Sequence, residues 1–191
     1  MVEMSSEGKL KSGRTVPRTR RPLKAYVADL ISSDAERRIQ ARHALVGIGS
    51  AAVPALLGAL RSPDGQMRAG AVQTLIGIAD PSAAEALTGM LDDDDASVRW
   101  LAAEALIALQ RVGLRAALHS LIEREPASPQ LKGGVRHVIQ EMSRQTRYTG
   151  LLRTLLNALD DYAPDEVLMV EAHKAVSALD RLPVAVGSSD G

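Results

Sequence analysis

The chain has 191 residues with no Cys and no Phe; 46% of it is hydrophobic, only 2% is aromatic, and 23 Lys and Arg offset 23 Asp and Glu. Without thiols there can be no disulfides, cysteine nucleophiles or Cys-based zinc sites, and no run approaches the roughly 20 apolar residues of a membrane span. The 29 Ala and 25 Leu call for a core of small and medium aliphatic side chains, a composition that suits closely packed helices.

Residues 1–22 read as a disordered basic tail. Residues 1–24 carry seven Lys and Arg against Glu3 and Glu7, a net +5, which leaves the other 167 residues with 16 basic and 21 acidic side chains, a net −5. Pro17, Pro22, Gly8 and Gly13 interrupt the segment, and it has almost nothing apolar to bury. Met1 to Gly8 shows no apolar run of the secretory kind, so a reducing, cytoplasmic location is expected. Arg18, Arg20, Arg21 and Lys24 offer salt-sensitive attraction to phosphates, but no aromatic precedes Tyr26 to stack on bases. An acidic protein surface, or the chain's own acidic body, would serve them equally.

Residues 23–182 divide into helical hairpins over 23–49, 50–80, 81–111, 112–146 and 147–182. Their first helices are predicted at 25–31, 51–60, 83–91, 114–122 and 150–159. The second helices align as RRIQARHALVGI (37–48), MRAGAVQTLIGI (67–78), VRWLAAEALIAL (98–109), LKGGVRHVIQEM (131–142) and LMVEAHKAVSAL (168–179). One column of this alignment holds Arg38, Arg68, Arg99, Lys132 and then Met169. Four residues before it stand Asp34, Asp64, Asp95, Ser128 and Asp165, short oxygen side chains suited to the free N–H groups of a first helical turn. Gly47, Gly49, Gly77 and the Asp80-Pro81 pair mark helix ends. Each hairpin has too large an apolar face to stand alone, so the fold class is all-α, a solenoid of about five stacked units. Residues 183–191 read as a short frayed end.

The pattern D-x-x-V-R-x-x-A-A-x-A-L, best seen in Asp95, Val98, Arg99, Ala102, Ala103, Ala105 and Leu106, resembles HEAT repeats of the short bacterial type named after phycobilisome lyases. Pro54 sits in a first helix, where that family often carries a proline. The large aromatic packing positions of tetratricopeptide repeats have no counterpart in a chain with one Trp, three Tyr and no Phe. The resemblance implies that second helices line the concave surface and that Arg38, Arg68 and Arg99 form a structural ladder, bonding acidic groups of the inter-helix turns with Asp93 and Asp95 among the acceptors. The alternative for these arginines is an anion track, which the net negative body disfavours.

At about 100° per residue, Val98, Leu101, Ala102, Ala105, Leu106 and Leu109 share the buried arc while Trp100, Glu104 and Ile107 face out. The matching rows are Ile39, His43 and Val46; Ala69, Gln73 and Ile76; Gly133, His137 and Gln140; and Val170, Lys174 and Ser177. Trp100, between small Ala69 and Gly133 of the neighbouring rows, has the makings of an interface anchor, with Glu104, Ile107, Gln73, Ile76, His43, His137 and Lys174 around it. Packing between helices is the competing role for the isoleucines, and for Trp100 it is covering its neighbours.

No catalytic constellation emerges. None of His43, His119, His137 and His173 precedes a Glu, so the His-Glu pairs by which HEAT-like hydroxylases hold iron are missing. Residues 92–95 lack the Gly turn and terminal Glu of a calcium loop and suit helix capping. The expectation is therefore a non-catalytic scaffold or adaptor, without cofactor or metal, that binds a protein or peptide. A phycobilin lyase-like accessory subunit, implied by the resemblance alone, and a nucleic-acid-associated protein acting through the tail are the alternatives. A monomer is expected, although Ala25, Val27, Ala28 and Ile31 of the first helix have no preceding unit to shield them.

Overall fold

The computed structural model describes residues 21–124 and 126–183. Among them ten α-helices follow one another without a strand: α1 (Leu23–Asp29), α2 (Ala35–Ile48), α3 (Val53–Ala59), α4 (Gly65–Ile78), α5 (Ala84–Met90), α6 (Ala96–Ala108), α7 (Gln110–Glu123), α8 (Pro129–Ser143), α9 (Thr146–Asp160) and α10 (Asp165–Arg181). They pair into five hairpins.

Four second helices start where a side-chain oxygen can take over the free amides of the first turn. Asp34, Asp64, Asp95 and Ser128 cap α2, α4, α6 and α8, accepting from backbone N–H groups two or three residues on. Asp165 does not cap: it is the first residue of α10, behind Pro164, and its carboxylate accepts the Ala127 N–H and pairs with Lys132 Nζ at 2.5 Å. Helix ends follow the sequence less closely. Gly49 ends α2 with φ +71°, the conformation that favours glycine, but α4 ends on Ala79 at φ +53°. Gly77 lies inside α4, where a Cβ would stand 2.7 Å from Val46 Cγ2, so it permits close approach to α2 instead of ending a helix.

Residues 35–59 pass by length and composition for a membrane span. The backbone is broken at Gly49 into two helices, however, and the longer, 14-residue α2, at ~1.5 Å per residue, falls well short of a ~30 Å hydrocarbon layer.

Through four hairpins the stacking is regular. Second helices pack on one another, α2 on α4, α4 on α6 and α6 on α8, more closely than first helices do, and so form the inner row of the curve. Ala71, Leu75, Ala102, Leu106, Val135 and Ile139 carry the fully buried contact. A solenoid of such units draws its stability from the interfaces between neighbours.

The arginine column ties this row to its turns. Arg38, Arg68 and Arg99 share one posture, with Nη1 donating to the carbonyls six and five residues earlier: Ser32 and Ser33, Ser62 and Pro63, Asp93 and Asp94. Only Arg68 goes further. Its Nε and Nη2 donate to Asp93 Oδ2 and Oδ1, both at 2.7 Å, a two-pronged pair with the next hairpin's turn in which the side chains are 15% and 5% exposed. The expected acidic acceptors therefore reduce to Asp93. Asp95 accepts the Ser97 N–H and no arginine, and Arg38 and Arg99 find peptide carbonyls instead.

Burial resists ionisation of Asp93, but hydrogen bonds from Arg68 and from the Asp95 N–H outweigh it and hold the carboxyl below its ordinary range. A depressed value means that stability from this group is complete above the unfolded carboxylate pKa of about 3.9 and is lost as pH falls through the folded value. Asp93→Asn is expected to cost about 2 kcal/mol at pH 7. Urea denaturation at pH 7 and at pH 3 would show that deficit shrinking in acid, where wild type begins to lose the stability this group supplies.

The fifth hairpin reverses the layers. α9 packs along α8 and takes the next place in the inner row, while α10 packs on α7 and α9 in the outer row. The expectation that Val170, Lys174 and Ser177 continue the inner face is overturned. α9 has 15 residues, close to both the 15 of α8 and the 14 of outer-row α7, so both are long enough to pair with it. Its buried Tyr148, Leu152, Leu155 and Leu159 form a stripe that needs a long apolar partner. Polar contacts complete the exchange. Arg111 of α7 donates to the Leu179 and Leu182 carbonyls at the end of α10, and Arg136 of α8 pairs with Asp160 at the end of α9. Met169, in the arginine column, offers no tie of the usual kind to its own turn.

Candidate functional site

Trp100 stands in the first two turns of α6, where Val98 and Ala102 on either side of it in sequence are fully buried. Helix geometry therefore throws the indole outward, and it is 59% exposed. It forms a ridge between two clefts in the inner row. The α4–α6 cleft, about 420 Å³, runs past Gln73, Ile76, Leu101, Glu104 and Ile107. The α6–α8 cleft, about 370 Å³, is bounded by Arg99, Ala103, Pro129, Gly133, Gly134 and His137. Two glycines of α8, Gly133 and Gly134, help to form the second one. A Cβ at Gly134 would press on Leu91 Cδ2 at 2.9 Å, so the glycine lets α8 settle against the preceding hairpin, whereas Gly133 faces open space with nothing within 4 Å.

The residues singled out from sequence separate into two sets. Gln73, Ile76, Trp100, Glu104 and Ile107 meet around the first cleft, and His137 closes the second, where its Nε2 lies 2.9 Å from Glu104 Oε1 and links α8 to α6. Ile76 and Ile107 are half-buried, packed on the core as well as lining the cleft. His43 is exposed on α2 and lines neither cleft. Lys174 is away from them altogether, on outer-row α10, where it pairs with Glu171 at 2.7 Å.

Of the basic segment, Arg18 and Arg20 lie outside the described residues. Arg21 is engaged by the fold: it pairs with Asp29 at 2.5 Å and lies 5.3 Å over the ring of Tyr26. Lys24 is exposed in the first turn of α1.

Sequence reasoning missed a third cleft of about 730 Å³ beyond Gly133, formed by Lys132, Arg136, Leu159, Tyr162 and Leu168. Tyr162, 93% exposed at φ +51° in the α9–α10 turn, marks its rim. An aromatic placed between Asp161 and Ala163-Pro164 was a visible signal, but its position beside α8 depends on the reversed layers. Among the described residues no three His, Asp or Glu side chains gather as metal ligands would.

A two-row stack of hairpins with a cleft-bearing inner face defines the class, an α-solenoid repeat protein. Residues 22–107 match the family described as HEAT repeats. A chain in the complex of CpcE and CpcF of phycocyanin lyase from Nostoc sp. PCC7120 is similar in fold: 24% identity, 80% of this chain and 96% of that chain covered, TM-score 0.54. Two engineered proteins align over 83% and 82% of this chain and 79% and 80% of their own, at 19% and 20% identity, with TM-scores of 0.42 and 0.39. No curated protein matches the sequence.

Proposed function

We propose that the protein is a non-catalytic scaffold that holds a segment of another protein across its inner row, with Trp100 as the anchor. The observation that carries this reading is the ridge itself: a chain with a single tryptophan presents it 59% exposed between two clefts. Large aromatics at the centre of a concave surface dominate binding energies, and surrounding residues of mixed polarity serve as the rim. Five carboxylates among the described residues are held below their ordinary range by structural contacts. Asp29, Asp80, Asp93, Asp95 and Asp165 are each accounted for by caps or ion pairs, and none lines either cleft beside Trp100.

Unbiased affinity capture with the full chain, with a chain lacking residues 1–22 and with Trp100→Ala tests the proposal. A partner kept by the first two and lost by the third supports the groove. A partner lost only with residues 1–22 assigns binding to the basic segment, and salt sensitivity between about 50 and 200 mM would then favour a nucleic acid. The fold likeness to a phycocyanin lyase chain favours one further reading, an accessory role in handling a bilin. Visible absorbance of pigment co-purifying with the protein would favour it.

A further inference from the structure

The ladder arginines carry information beyond their structural role. Arg68 uses all of its fork, with Nη1 on its own turn and Nε and Nη2 on the Asp93 carboxylate of the next hairpin. Arg99 repeats the posture one hairpin later, with Nη1 on the Asp93 and Asp94 carbonyls. Asp93 lies two residues before the cap Asp95; two residues before the cap Ser128 the chain has Pro126, which offers no carboxylate. Nε and Nη2 of Arg99 accordingly have no acceptor among the described residues. Arg38 lacks a carboxylate as well, with Ser62 at the matching place, but Arg99 differs in bordering the α6–α8 cleft, where its α6 neighbour Trp100 stands beside it and Gly133 of α8 leaves open space.

We propose that the free edge of Arg99 receives the carboxylate of an Asp or Glu in the bound segment, while an adjacent apolar side chain of that segment lies against Trp100. The partner is thus an acidic-apolar peptide segment, and it would reproduce between molecules the two-pronged contact that Arg68 and Asp93 make within this one. Charge complementarity argues for it: a guanidinium fork and an indole share one cleft, whose lining adds Gln130 and His137 but no acidic side chain, and the nearby Glu104 carboxylate is engaged by His137. The inference rests on the groove reading of Trp100 and specifies what the groove selects.

The test uses peptides selected by display on the full-length protein and then synthesised with blocked ends. Selected peptides should share an Asp or Glu at a fixed distance from an apolar residue. Changing that acid to its amide should weaken binding about tenfold on wild type, a loss that shrinks as salt rises, yet less than twofold on Arg99→Gln. Arg99→Gln also removes hydrogen bonds to the Asp93 and Asp94 carbonyls, so its melting is checked; the acid-to-amide change on wild-type protein needs no variant to fold. Peptides without a shared acid, or an equal loss on both proteins, overturn the inference while Trp100-dependent binding leaves the groove standing. Selected peptides indifferent to Trp100→Ala overturn both.

Discussion

Trp100→Ala is expected to weaken partner binding at least 30-fold, about 2 kcal/mol, while moving the stability of the chain by less than about 0.5 kcal/mol. The contrast follows from position. Val98, Ala102, Ala105 and Leu106 carry the buried side of α6, so truncating the 59% exposed indole removes little that the fold had taken from water. Calorimetric titration and a thermal melt of the same preparation would read the two effects separately. As the only tryptophan, Trp100 also reports on itself: its emission should be that of a wet indole in the free protein and shift to the blue when a partner covers it. A variant that melts many degrees lower would show that the indole holds the helices together.

Gly113→Ala is expected to do the reverse, costing about 3 kcal/mol or more of stability. Only Leu109 separates α6 from α7, and the chain turns so sharply there, with Gln110 at φ +54°, that a Cβ at Gly113 would lie 1.9 Å from the Leu106 carbonyl oxygen. Backbone is on the other side of that clash, so no side-chain rotation relieves it. Displacing α7 also disturbs Arg111, two residues away, which binds the last carbonyls of α10. Chemical denaturation should show the loss, and hydrogen exchange should show α10 opening first. Gly133→Ala is the matching control, since nothing lies within 4 Å and alanine is favoured over glycine inside a helix by about 1 kcal/mol.

What the sequence discloses here is what is decided within a few residues. An oxygen side chain before α2, α4, α6 or α8 meets amides of its own helix, so Asp34, Asp64, Asp95 and Ser128 could be read directly; Asp165 could not, because Lys132 and Ala127, far off in the chain, claim its carboxylate. The outward direction of Trp100 follows from helix period alone. That Gln73, Ile76, Glu104 and Ile107 share a cleft with it follows from regular stacking, which the repeat announces. Lys174 failed for the complementary reason: its place rests on which long helix α9 chooses as a partner, a competition among apolar faces that no local pattern records.

The exchange of rows in the last hairpin bears on how the molecule behaves in a crowd of its own kind. A stack built of one repeating unit offers matching surfaces at its two extremities, and copies of it can join head to tail without limit. Here a further unit of the prevailing type would meet α9 where it needs a second helix and α10 where it needs a first. Copies stacked in register with the repeat would not find matching helices at this hairpin.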